Sequence, residues 1–495
     1  MLSRLSTSGN KIVDARGRAV QLRGLGIGGW MNLENFINGY PGAESSLRAT
    51  MAQALGREKA AFFFERLADH FLAEEDLAFI RGCGANTVRL SLNYRHFESD
   101  ENPFSYLESG FARLSRIIAA CKRQGLYVIL DLHSVQGYQN PDWHCDNATR
   151  QALFWQHPLF QDRFVALWQE IARRFNGHEV IAGYNIMNEP VTGARISRFQ
   201  HAYTADWDAL NRLYRRTVKA IRTIDPKTII FLEGDCFSVL FQGLDAPFAE
   251  NLVYSSHNYT NAGFGPGTYP GVCAGSHWDL GKQEEIFLNH EGTQFAKKHR
   301  VPLWVGEFGG VSNGQANERP CRVRAIEDQI SLFEAHGAHW TIWTYKDAGV
   351  MGVIELDPDS PYMRLTGPLR QLKIQLGTDF WMQWLPQTRA TQIVNELAQE
   401  IVGAVGKDRI DEAGNRLFLS QATMDVFVGA TLQPYYADLF KGMPEDEMDR
   451  VLESFAFGRC RPKQDWVTVL SKLFKPERAR SGLVERPAQR SLARV

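Results

Sequence analysis

Two glutamates stand where an apolar run stops. Glu189 follows Tyr184-Asn185-Ile186-Met187-Asn188 and precedes Pro190, and Glu307 follows Pro302-Leu303-Trp304-Val305-Gly306. Breaking a glycosidic bond takes one carboxylic acid to protonate the departing oxygen and one carboxylate to attack or shield the anomeric carbon. Pro190 cannot continue a strand ladder, which places Glu189 at a strand rim, while Gly306, Gly309 and Gly310 let backbone and ligand approach closely beside Glu307. Asn188 offers an amide to a sugar hydroxyl next to the reacting carbon. Arg89, in Asn86-Thr87-Val88-Arg89-Leu90, supplies the cation that keeps a buried Glu307 ionised, and Tyr259 adds a hydroxyl donor. His133 and His257 are read as orienting these groups and the sugar. The pattern predicts a low pKa at Glu307 and a raised one at Glu189, as one site running acid and nucleophile together requires. Taken singly, each residue reads equally well as a loop carboxylate, a structural guanidinium or a satisfied core imidazole. The set, in order, carries the functional reading.

Positioning such a set requires strands that end side by side. Short β-branched or apolar runs recur at 20–25, 86–92, 126–132, 180–187, 228–232, 252–256, 302–305 and 339–344, separated by amphipathic stretches. One such stretch, 106–123, repeats Leu107, Phe111, Leu114, Ile117, Ile118 and Cys121 at helical spacing. This alternation implies parallel strands with right-handed crossovers. A doubly wound open sheet fits the alternation too, but nearly every run stops at a polar or reactive residue: Asp131 and His133, Asn188 and Glu189, Glu233 and Asp235, His257 to Tyr259, Glu307, Trp343 to Asp347. That placement favours a (β/α)8 TIM barrel, whose site lies at the C-terminal ends of its strands. The chain is accordingly read as a catalytic barrel over 1–385, a helical extension packed on it over 386–470, and a disordered basic tail over 471–495.

Composition narrows the partners. The 55 basic and 56 acidic residues nearly cancel, which removes the electrostatic footprint of a nucleic-acid binder or a membrane-bound basic surface. No apolar run has the length of a membrane span or a signal peptide, so a chain that stays in the cytosol is expected. Seven cysteines form neither a CxxC pair nor a cluster, which fits reduced, packed thiols. Aromatic residues make up 12% of the chain, many beside Gly, Pro, Asn and Asp, as flat sugar-stacking faces require. Gly24-Leu25-Gly26-Ile27-Gly28-Gly29 matches G-x-G-x-x-G, yet 30–42 reads as loop where a nucleotide-binding helix should open. Asp142, His144 and Asp146 form a ligand-like cluster without the spacing of a known metal motif. Neither a metal nor a cofactor is expected; the partner is a carbohydrate. Lys346 and Asp347 are read as hydrogen-bonding sugar hydroxyls at the far wall, with a surface salt bridge as the alternative.

The set Arg89, His133, Asn188-Glu189-Pro190, His257, Tyr259, Glu307 and Trp343 resembles the site signature of glycoside hydrolase family 5, in that family's order and across residues 20–350. The resemblance implies a retaining β-glycosidase with Glu189 as acid/base, Glu307 as nucleophile and Trp343 supporting the sugar at the cleavage point. Gly28-Gly29-Trp30-Met31-Asn32-Leu33-Glu34 and Asp131-Leu132-His133-Ser134-Val135-Gln136-Gly137-Tyr138-Gln139-Asn140 further resemble its exo-β-glucanase branch. This implies Glu34 in the pocket for the terminal sugar, with Trp30, Gln139 and Asn140 in support. After Trp343 the chain departs from that branch. The expected activity is therefore hydrolysis of small β-glucosides or β-gluco-oligosaccharides, exo-acting. An endo-β-glucanase and a β-mannosidase or mannanase are the alternatives within the family. A non-catalytic carbohydrate-binding barrel would predict a missing carboxylate. Oligomeric state is not legible.

Overall fold

The computed structural model describes residues 2–193, 203–312, 317–379 and 388–474. Eight parallel strands close into a barrel in chain order: β1 Arg23–Met31, β2 Thr87–Asn93, β3 Tyr127–Ser134, β4 Ile181–Asn185, β5 Ile229–Glu233, β6 Leu252–His257, β7 Leu303–Glu307 and β8 His339–Ile342, with β8 pairing β1. Helices surround it, as the alternating pattern predicts. The stretch expected as helical at 106–123 forms Glu108–Gln124, burying Phe111, Leu114, Ile117, Ile118 and Cys121 and ending at Gly125 in the left-handed region. All seven cysteines are free thiols. No helix among the described residues is long and apolar enough to cross a membrane.

Side chains alternate across each strand, and the alternation builds two separate cores. Val128, Leu130 and Leu132 of β3 join the large core shared with the helices, whereas Tyr127 and Ile129 belong to an interior cluster with Ile229, Phe231, Val253 and Trp304. The hairpin Ser6–Ser8/Lys11–Val13 contributes Leu5 and Ile12 to that interior plug. Continuing the same alternation, β3 turns Asp131 and His133 inward above Ile129, and β5 turns Glu233 inward above Phe231. Position along the strand thus decides whether an inward residue fills the plug or enters the site.

The first strand extends six residues beyond the predicted 20–25 run, because its glycines face other chain segments at close range. A Cβ on Gly24 would lie 1.8 Å from Thr87 O, and those on Gly26 and Gly28 would lie 2.6 and 2.5 Å from the Trp343 indole. The G-x-G-x-x-G pattern therefore makes room for an aromatic ring. Within 30–42 the chain forms one helical turn, Asn35–Asn38.

Beyond the barrel, helices Pro361–Leu376, Arg389–Val405, Glu412–Ser420, the wider-wound Gln421–Val428, Gly429–Asp438, Glu445–Leu452 and Gln464–Leu473 follow, and a strand at Cys460–Pro462 pairs with Ile354–Leu356. Residues 471–473, expected in a tail, belong to the last helix. The expected boundary at 385 and the tail from 475 onward lie outside the described residues.

Candidate active site

Arg89 is the hub. Fully buried on β2, it donates from Nη1 to Glu307 Oε1 at 2.6 Å, from Nη2 to Asn188 Oδ1 at 2.6 Å and Glu233 Oε1 at 3.3 Å, and from Nε to Asn185 Oδ1 at 3.0 Å. Asp131 lies 3.2 Å from Nη2. Burial alone would weaken its hold on the proton; Asp131, Glu307 and Glu233 more than reverse that, so the guanidinium stays charged. Tyr259 completes the setting of Glu307 by donating to Oε2 at 2.9 Å. Burial, then the charges of Glu307 and Glu189, push the phenol pKa well up, which keeps its proton in place.

Glu189 is positioned by its backbone. Its φ of 48° lies in the left-handed region, uncommon for a residue with a Cβ. Its N–H donates to Glu233 Oε2 at 2.8 Å, its carbonyl accepts from Asn140 Nδ2 at 3.0 Å, and Pro190 follows. The side chain is held twice: Oε1 lies 2.6 Å from His257 Nδ1, and Oε2 lies 2.9 Å from His144 Nε2. One oxygen each of Glu189 and Glu307, with a ring nitrogen of His257, lie within 4.8 Å of one another. Retaining glycosidases hold their carboxyl groups about 5 Å apart, inverting ones about 6.5–9.5 Å apart to admit a water.

The raised pKa expected at Glu189 is not found. Burial would raise it, but His257 and His144 outweigh burial and hold the carboxyl well below its ordinary range. The same contacts raise both imidazoles: burial opposes a charge on His257, and Glu233, Glu307 and Glu189 overcome it. These shifts favour a proton on the imidazoles over one on Glu189. His133 is the opposite case, pushed down to about 3 by burial, with Nδ1 2.7 Å from Asp131. Burial raises Asp131 to about 7, with Arg89 opposing.

These groups open into a pocket of about 310 Å³ at the C-terminal end of the barrel. Trp343 forms part of its wall, its indole stacked on His133 at 5.2 Å and 2° between planes. Glu34 also faces it; burial, then the charges of Glu307 and Glu189, raise its pKa well up, and among the described residues its buried Oε1 has no hydrogen-bond partner.

Not every predicted residue reaches the pocket. Asn188 and Arg89 lie beneath the carboxylates, and Gln139 braces the loop by donating to the carbonyls of His133 and Asn188 at 2.7 and 2.8 Å. Asn140 acts likewise on Glu189. Trp30 is buried in the large core and does not line the pocket. Lys346 and Asp347 are corrected as well: after Trp343 the chain leaves the barrel as the short strand Lys346–Asp347, pairing with Ile354–Leu356. There Lys346 Nζ meets Asp76 at 2.6 Å and the carbonyls of Phe71 and Phe455 at 2.7 Å each. Asp347 caps the turn above it, accepting from the N–H groups of Gly349, Val350 and Met351. Both are buried and satisfied within the protein, so neither is available to a sugar.

Among the site residues that sequence reasoning missed, three bear on the chemistry or its setting: Glu233, His144 and Gln421. Glu233 was legible as a strand end. His144 was visible only in the Asp142, His144, Asp146 cluster, which does not converge: Asp142 pairs with Arg150, Asp146 with Arg95, and His144 alone turns to Glu189. Gln421, from the C-terminal helices, lines the pocket and carries no local signal.

Known proteins place this arrangement. Residues 61–349 match the cellulase family, glycosyl hydrolase family 5. The chain is 35% identical over 477 residues to a beta-xylosidase of Phanerodontia chrysosporium, covering 92% of this chain and 95% of that protein. It is 25% identical over 312 residues to endoglucanase C of Acetivibrio thermocellus, covering 56% and 85%. To a probable glucan 1,3-beta-glucosidase A of Emericella nidulans it is 26% identical over 376 residues, covering 68% and 87%. With the barrel closed and a family match spanning more than half its length, the chain belongs to glycosyl hydrolase family 5 and is a retaining glycoside hydrolase.

Proposed function

We propose that the protein removes one terminal sugar from small β-glycosides by double displacement, with Glu307 as nucleophile and Glu189 as acid and then base. The observation that carries this reading is the approach of the two carboxylates within 4.8 Å in a pocket near the lower end of the ~300–1,000 Å³ range of ligand sites. Arg89 and Tyr259 each engage one oxygen of Glu307, which aims it at the anomeric carbon. Attack forms a C–O bond to Glu307 while the glycosidic bond breaks, and the departing oxygen takes the proton from Glu189. Water then gives a proton to Glu189 and its oxygen to the anomeric carbon, releasing Glu307 with net retention.

Trp343 offers a flat face to the C–H side of the terminal ring. Glu34, holding its proton, both donates to and accepts from a sugar hydroxyl, and its unpartnered buried oxygen supports a place for that hydroxyl. A β-glucoside is the first reading. A β-xyloside is the second, favoured by the relative called a beta-xylosidase, whose 92% coverage runs through the C-terminal helices, whereas the endoglucanase matches little more than half the chain.

The test is a panel of aryl β-glucoside, β-xyloside and β-mannoside, followed by β-linked oligosaccharides of the best sugar. A monosaccharide as the first soluble product, with one sugar favoured in kcat/KM, is the expected outcome. Early release of mixed oligosaccharides would establish internal cleavage instead.

A further inference from the structure

Of the two imidazoles that grip Glu189, only His257 stands on a barrel strand. His144 lies on the turn Trp143–Cys145, in the loop after β3. That loop is tied down at several points. Asn140 donates to the Glu189 carbonyl and lies 3.1 Å from His144 Nε2, while its Oδ1 accepts from the Asp142 N–H at 2.9 Å. Asp142 pairs with Arg150 at 3.1 Å. Gln421 closes the circuit from the C-terminal helices: its Nε2 donates to Asp142 Oδ2 at 3.4 Å and its Oε1 accepts from Arg150 Nη2 at 3.1 Å. Asp142, Arg150 and Gln421 are all buried.

We propose that His144 is a positioning residue for Glu189, and that the C-terminal helices complete the active site by fixing its loop through Gln421 and Arg150. This rests on Glu189 being the acid/base. His144 Nε2 carries either one proton or one lone pair, yet it faces both a Glu189 oxygen and the Asn140 amide nitrogen. The other bonds of Asn140 fix its amide so that nitrogen points at the ring. Each of two arrangements satisfies one of these contacts. In one, Nε2 holds the proton and donates to a Glu189 carboxylate; in the other, the proton sits on Glu189 and Nε2 accepts from Asn140. One proton thus has two seats 2.9 Å apart. The second is the acid that the glycosidic oxygen needs. After the leaving group departs with that proton, the one taken from water refills the same pair.

The charged groups facing His144 are Glu189 and Asp142, with Glu307 and His133 across the pocket; Glu189 also faces His257 and Glu233. Burial opposes a charge on His144, but the Glu189 contact and these acidic neighbours raise its pKa. The proton count of the pair therefore depends on His144, and removing one seat lowers the pH at which the proton is lost.

Three variants, His144→Gln, Gln421→Ala and Glu189→Ala, are compared on two β-glycosides of the same sugar. One carries a dinitrophenyl leaving group, which departs without protonation; the other carries an alkyl group, which requires it. For His144→Gln we expect a loss of roughly 10–100-fold in kcat/KM on the alkyl glycoside, little change on the dinitrophenyl one, and an alkaline limb of kcat/KM moved to lower pH. Gln421→Ala gives the same pattern, smaller. Equal losses on both substrates, or an unmoved alkaline limb, overturn the role of His144, and an unchanged Gln421→Ala overturns its tie to the C-terminal helices. Glu189→Ala is the reference: if it fails to discriminate between leaving groups, the acid/base reading itself falls, whereas discrimination there but not in His144→Gln removes only this inference. His144→Asn, with melting curves, is the second variant should His144→Gln fold poorly.

Discussion

At the N-terminal end of the barrel, Ile129, Ile229, Phe231, Val253 and Trp304 pack as an apolar plug under Leu5 and Ile12; further along the same strands, Asp131, Glu233, His257 and Glu307 crowd around Arg89 and Glu189. The same strands run through both ends, with register shifts near the rim such as that between Ser256 and His257, so the contrast lies chiefly in the side chains they carry. The plug gains from burying apolar area, and any one of its members can lose a methyl group at modest cost. The charged end depends on pairing its carboxylates with Arg89 and the imidazoles, because a carboxylate or guanidinium left unpaired there is expensive. Stability is concentrated at one end and reactivity at the other, and substitutions at the two ends should separate them.

Glu307→Gln is the largest effect expected, a fall on the order of 10⁵-fold in kcat, as for removal of a nucleophile, with the melting temperature largely kept. A variant that lost stability and kept turnover would place Glu307 with the plug. Next comes Glu189→Ala, with a loss of roughly 10²–10⁴-fold on poor leaving groups and partial rescue by azide, giving a β-glycosyl azide; an α-azide would contradict retention. Lys346→Met strands Asp76 in the interior and should cost about 3–5 kcal/mol in denaturant unfolding, with KM unchanged; a large rise in KM would return Lys346 to the pocket. Smallest is Ile129→Val, about 0.5–1.5 kcal/mol of stability, with kcat/KM of the folded enzyme untouched. A kinetic effect there would mean that the two ends are not separable.

The barrel and most of its rim were legible because strand runs announce themselves by apolar composition and stop at polar residues. The eight runs predicted from sequence each overlap one of the eight strands, and most of the chemistry-bearing residues come at or just past their ends. What the sequence hid was set by loops and long-range packing. His144 has no periodic context, and its partner is fixed only when the loop after β3 folds back over Glu189. Gln421 meets Asp142 across 279 positions, a contact that no local pattern encodes. Lys346 and Asp347 were misplaced because nothing in the sequence marks where the chain leaves the barrel after Trp343. The direction of the Glu189 shift was misjudged for a related reason: His257 was read as a generic orienting group, and its contact, with that of His144, reverses the effect of burial on Glu189. Glycines 26 and 28 illustrate the converse, a motif whose meaning appears only once the Trp343 ring is in place.

The central claim, that Glu307 attacks the anomeric carbon, is tested most directly by trapping the covalent intermediate. Incubation with a 2-deoxy-2-fluoro β-glycoside bearing an activated leaving group, followed by proteolysis and mass spectrometry, should show one added fluoroglycosyl residue on the peptide that contains Glu307, and none in Glu307→Gln. An adduct on any other residue, or time-dependent inactivation that survives in Glu307→Gln, would contradict the account.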